Sequence, residues 1–126
     1  MAKLGAVRRL AAMHGLSRAM VGLGLLTAPD LAGRGWMGDA VDTPGGAVAV
    51  RALGVRDMCL GLGQWVAARN GRPIKPWLRY GGLSDAVDGA ATAAAVDQLG
   101  EMAVPVVGIA GGSAAISFLL SALADR

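Results

Sequence analysis

The chain has 126 residues, 54% of them apolar and 17% charged, with a formal charge of +3, a length that allows one domain. Its charges leave bare long windows that a soluble bundle would have to coat with polar side chains, so lipid is the expected solvent. Nucleic acid is excluded as a partner, because Lys and Arg fall in short clusters between apolar runs and aromatic residues, at 4%, offer no stacking platform.

The first apolar segment spans 7–28. Lys3, Arg8 and Arg9 at its start resemble a signal peptide. However, His14 and Arg18 interrupt the run and no small-x-small cleavage site follows, so this segment is expected to remain in the mature protein. The second spans 47–68, the third 77–98 and the fourth 103–123, each near the ~20 residues that cross a bilayer as a helix. Pro29, Pro44, Pro73, Pro76 and Pro105 all fall at segment ends, where helices start and stop.

Charge in the connections alternates. Lys3, Arg8 and Arg9 precede the first segment, and Arg69, Arg72, Lys75 and Arg79 follow the second. Between them Asp30, Asp39 and Asp42 oppose Arg34 alone, and Asp97 and Glu101 close the third segment without a base. The fold expected is all-α, a four-transmembrane-helix bundle over residues 1–126, up-down-up-down with both termini cytoplasmic. Trp36, Trp77 and Tyr80 fall near the interfaces, where amphipathic rings collect. Cys59 has no partner for an internal disulfide and reads as a small packing residue.

The second segment carries Gly54-Val55-Arg56-Asp57, two opposite charges in an apolar run. At a rise of about 1.5 Å per residue, Arg18, Asp88, Asp57 and Arg56 lie roughly 16 to 20 Å from the cytoplasmic ends and form one layer. His14 and Asp85 form a second layer at about 10 to 12 Å. Helical spacing gives His14 and Arg18 one face and Asp85 and Asp88 another. Asp57 continues through Gly61 to Gln64, and Asp88 continues toward Thr92. Arg51 falls in the outer half, with Asp97 or the acidic first connection as candidate partners.

Groups buried in this way must be paired or change protonation state. They read as structural ion pairs that fix helix register, or as a site, since ionisable groups within a membrane mark function. As a site, Asp57, Asp85, Asp88 and His14 are the acid–base candidates. Arg18 and Arg56 would bind an anionic group or stabilise a transition state. The chemistry would be isomerisation, cyclisation or hydration of a small lipophilic or anionic molecule. The alternatives are a proton-coupled transporter of a small solute and a structural subunit of a membrane complex. No cofactor is implied, and one His among Asp and Arg gives too few ligands for a metal site.

Gly108, Gly112 and Ala115 make a small-residue face on the fourth segment, suited to packing within the bundle or to a homo-oligomer seam. A faint internal echo also exists. Gly15-Leu16-Ser17-Arg18-Ala19 matches Gly82-Leu83-Ser84-Asp85-Ala86, which would place Arg18 and Asp85 at equivalent positions of a duplicated hairpin.

The Gly54-Val55-Arg56-Asp57 motif, following an Arg-rich first helix that ends in Thr27-Ala28-Pro29, resembles small bacterial four-span membrane proteins classed as a domain of unknown function. The resemblance implies the four-helix fold and little about activity; the expected location is the bacterial cytoplasmic membrane.

Overall fold

The computed structural model describes residues 2–124, which contain five α-helices and no strand. They are α1 (Ala2–Thr27), α2 (Pro29–Met37), α3 (Pro44–Arg69), α4 (Lys75–Ala94) and α5 (Ala103–Leu123), with 3-10 turns at Gly38–Asp42 and Val96–Gln98. The side chain of Lys3 lies outside the described residues.

Four of these helices fall on the four expected segments, and α2 is an addition within the expected first connection. Ala28 leaves helical geometry at φ −135°, and Pro29 starts a new helix at once, with Asp30 in its first turn, where a negative charge favours the helix dipole. The third segment is shorter than expected. Helix α4 stops at Ala94 and a 3-10 turn carries the chain through Gln98. By length and composition two helices suffice to cross a membrane, Leu4–Thr27 within α1 and Ala103–Leu123. Helices α3 and α4 are more polar because they carry Arg51, Arg56 and Asp57, and Arg79, Asp85 and Asp88.

The bundle is built from two antiparallel pairs. Helices α1 and α3 meet backbone to backbone at glycines seven residues apart, with Gly15 opposite Gly61 and Gly22 opposite Gly54. A methyl group on Gly54 would lie 2.6 Å from the Leu26 nitrogen and 2.7 Å from the Gly22 oxygen, and one on Gly15 would lie 2.8 Å from the Gly61 oxygen. Only glycine permits that approach. Helices α4 and α5 pair similarly but less closely, with Gly82 against Ser117 and Phe118, and Gly89 against Ala110.

Apolar clusters close the two ends. At the basic end Val7, Ala11, Ala67, Ile74, Leu78 and Leu120 pack together under Trp65 and Trp77. At the acidic end Leu25, Val41 and Val50 pack with Trp36 and Met37. The connections there are tied down by backbone bonds, since the Gly100 and Met102 amides donate to the Trp36 and Gly35 carbonyls at 2.9 and 2.8 Å. Thr43 caps α3 by accepting from the Gly46 amide at 3.0 Å. Arg34 donates to both oxygens of Asp42 at 2.9 and 2.6 Å, and these hydrogen bonds hold the Asp42 carboxyl below the usual carboxylate range.

Between the clusters the distribution of polarity is inverted. Arg18, Gln64, Asp85, Thr92, Ser117 and Ser121 are buried, whereas Met13, Val48, Val87 and Leu119, one from each long helix, are exposed. Cys59, expected as a packing residue, faces outward on α3.

Candidate functional site

The two helix pairs are joined at mid-length by charge. Arg18 on α1 donates to both oxygens of Asp85 on α4, at 2.8 Å through Nη1 and through a closer Nη2 contact. It also faces Asp57 on α3 at 3.7 Å. Arg56 on α3 donates to Asp57 Oδ1 from Nε and Nη2 at 3.1 and 3.0 Å, and grips both oxygens of Asp88 on α4. The result is one alternating chain, Asp85, Arg18, Asp57, Arg56, Asp88. The two layers read from helix depth are thus a single network, because Arg18 reaches across to Asp85 without snorkelling toward the helix end. Gly81 leaves room for the reach, since a methyl there would lie 3.2 Å from Arg18 Nη2, tighter than ordinary contact.

His14 joins this network indirectly. Its Nε2 is 3.0 Å from Ser113 Oγ on α5, and Ser113 Oγ donates to Asp85 Oδ2 at 2.6 Å. On the other side of the ring Gln64 Nε2 is 3.2 Å from His14 Nδ1 and donates to the Ala11 carbonyl at 2.7 Å. Reversing the Gln64 amide would set its oxygen against that carbonyl, so Nδ1 is the acceptor and the ring is the neutral Nε2–H tautomer. Donation then runs one way, from Gln64 through His14 and Ser113 to Asp85.

Beside the network lies a cavity of about 560 Å³, within the range of small-molecule sites. Its walls include Val21 and Leu25 on α1 and Ile109 and Ile116 on α5, and Trp36 from α2 lines it as well. His14, Arg18, Asp57, Asp85, Asp88 and Ser113 form its polar part. Val21 and Ile109 are 59% and 67% exposed, so the mouth opens sideways between α1 and α5. Trp36 is fixed by donating from Nε1 to Thr92 Oγ1 at 3.0 Å, and Thr92 in turn donates to the Asp88 carbonyl at 2.6 Å.

All six sequence-predicted residues, His14, Arg18, Arg56, Asp57, Asp85 and Asp88, are therefore brought together. Arg56 does not line the cavity and meets it only through the two carboxylates it holds. Arg51 is exposed and forms no ion pair with Asp97 or the first connection among the described residues. Gly108 and Gly112 have no atoms within 4 Å of an added methyl. They border the cavity and take no part in packing within the bundle. Ser113 was missed because α5 carries no charge, yet Ser113, Ser117 and Ser121 recur every fourth residue, a polar stripe that marks the face turned inward.

No protein-family model, curated protein or solved structure matches the chain.

Proposed function

We propose that the chain is a four-helix integral membrane protein whose lateral cleft binds a small lipophilic molecule with a polar head and acts on it by acid–base chemistry. One observation carries this reading: a cavity of about 560 Å³ with apolar walls and a floor of carboxylates and one guanidinium, lying between the apolar clusters at the two ends of the bundle and open toward the outer face of α1 and α5. The outward-facing apolar side chains of all four long helices support a surround of lipid, including around α3 and α4, where Arg56, Asp57, Asp85 and Asp88 turn inward and Arg51 alone of the mid-helix charges is exposed. Asp57, Asp85 and Asp88 are the acid–base groups, and His14 and Ser113 hold Asp85. The geometry favours a lipophilic ligand over an anionic one, because the guanidiniums of Arg18 and Arg56 are already occupied by carboxylates.

Proton-coupled transport is the second reading, favoured by the location of the site at the seam between two similar helix pairs. Flux into liposomes that follows a proton gradient separates it from conversion in detergent without one.

The test is recovery of the occupant. Gly112 borders the cavity and a Cβ added there meets nothing within 4 Å, so Gly112→Phe is expected to obstruct the cleft without a clash at its own Cβ. Protein purified from membranes should release a lipophilic molecule that mass spectrometry detects near one per chain. Gly112→Phe, with an unchanged melting temperature, should release at least about tenfold less, given how much of a bound molecule such a pocket encloses. Equal recovery from both would overturn the reading.

A further inference from the structure

The network does not balance. Three carboxylates face two guanidiniums, and the neutral His14 adds no charge. The imbalance is larger at the cavity surface, which presents Asp57, Asp85 and Asp88 but only Arg18, because Arg56 lies outside it. It is also localised. Asp85 and Asp88 each have both oxygens engaged. Every donor to Asp57 goes to Oδ1, and none among the described residues reaches Oδ2.

A surplus negative charge in a low-dielectric interior is costly unless a cation or a proton accompanies it. The remaining elements supply none, since α5 contributes Ser113 and α2 contributes Trp36, neither of them charged. Trp36 adds an independent indication, as an aromatic ring beside carboxylates is the usual means of recognising an organic ammonium ion.

We propose that the cleft selects a lipophilic cation, a protonated amine or a quaternary onium ion, whose charge rests against Asp57 Oδ2 while its apolar groups lie between α1 and α5. This rests on the cleft's being a binding site, as proposed above, and names its ligand class. The empty site keeps its balance by holding one proton on the carboxylate network. Cation entry releases that proton to solvent, so one positive charge replaces another and no other bond changes.

Tetraphenylphosphonium and tetraphenylborate test this directly, being alike in shape and opposite in charge. With the purified full-length protein in neutral detergent, calorimetry should show saturable binding of the phosphonium at one per chain and none of the borate. Exchange against one proton requires affinity to rise up to about tenfold per pH unit where the empty site is protonated. Repeating the titration in buffers of different ionisation enthalpy should show one proton released. Asp57→Asn should weaken phosphonium binding at least tenfold and abolish its pH dependence, and Gly112→Phe should block binding. The proposal is overturned if the borate binds as well as the phosphonium, or if phosphonium binding neither varies with pH nor releases a proton. If neither ion binds but a lipophilic molecule still leaves the wild type and not Gly112→Phe, the charge selectivity falls and the cleft stands. If that difference is missing too, both fall.

Discussion

Arg18 and Asp85 hold the same place in two copies of one pattern, and they bind each other. The copies extend beyond the five residues that first suggest them, since Gly15 and Gly22 flank Arg18 as Gly82 and Gly89 flank Asp85. In each copy the glycines turn toward the antiparallel partner helix, α3 for the first and α5 for the second. The intervening charge turns toward the other copy. Glycine thus closes the seam within each pair, and the ion pair closes the seam between pairs.

That arrangement makes the ion pair strongly asymmetric to mutation. Arg18→Met should lower stability by about 3 to 5 kcal/mol, because Asp85 remains buried without its partner. The double exchange of Arg18→Asp with Asp85→Arg restores opposite charges at equivalent sites. It should recover only part of the loss, since the notch at Gly81 that admits the Arg18 guanidinium is matched in the first copy by His14. Thermal melting in detergent checks both, and an Arg18→Met protein that melts with the wild type would refute the structural part of the pair's role.

The glycines divide into two classes that melting should separate cleanly. Gly54→Ala pushes a methyl into the α1 backbone at 2.6 Å. It should cost about 1 to 3 kcal/mol or more, as overpacking does where backbone cannot yield. Gly108→Ala and Gly112→Ala meet nothing within 4 Å. They should be neutral or stabilising by up to about 1 kcal/mol through helix propensity. The first glycine of the Gly54-Val55-Arg56-Asp57 motif is then a packing residue that sets the depth at which Arg56 and Asp57 stand.

Cys59 provides a test of the lipid surround that is independent of any ligand. It is the only cysteine, and it is exposed on the outer face of α3. In water such a thiol would label readily, whereas in hydrocarbon it is shielded from water and from a polar reagent. Cys59 should therefore resist maleimide in intact membranes and react fully after denaturation in dodecyl sulfate. A cysteine placed by Asn70→Cys, at the exposed end of α3, should react in both conditions on a Cys59→Ala background. Rapid labelling of Cys59 in membranes would place this face in water.

Much of this structure is legible in the sequence because long apolar runs, their proline boundaries and the charges between them leave strong marks. Proline positions and alternating charge locate the four long helices, and residue depth brings Arg18, Arg56, Asp57 and Asp88 to one level. Depth alone cannot show how far a side chain extends, so it separates Asp85 and His14 from the layer that Arg18 joins by reaching across to α4. Helix α2 was hidden because a connection with Gly33, Gly35 and Gly38 reads as irregular, although Pro29 and Asp30 form a helix start. The small residues Gly108 and Gly112 resembled a seam, while the closest seam runs through Gly15, Gly22, Gly54 and Gly61, whose seven-residue spacing is visible only when both helices are compared.

The direction of the hydrogen-bond relay can be read from one residue, since His14 is the only histidine. Nitrogen-15 spectra of the histidine-labelled protein at pH 7 should show Nδ1 bare and Nε2 protonated, the form required if Gln64 donates to Nδ1 and Ser113 accepts from Nε2. Gln64→Leu removes the donor to Nδ1 and should let the other tautomer appear. Ser113→Ala leaves Nε2–H without its acceptor and Asp85 without one donor, at a cost of about 1 to 3 kcal/mol for buried groups left unpaired. A wild-type ring protonated at both nitrogens would reverse the argument in a specific way. The imidazolium would then supply the positive charge that three carboxylates and two guanidiniums lack, and the cleft would have no surplus with which to hold a cation.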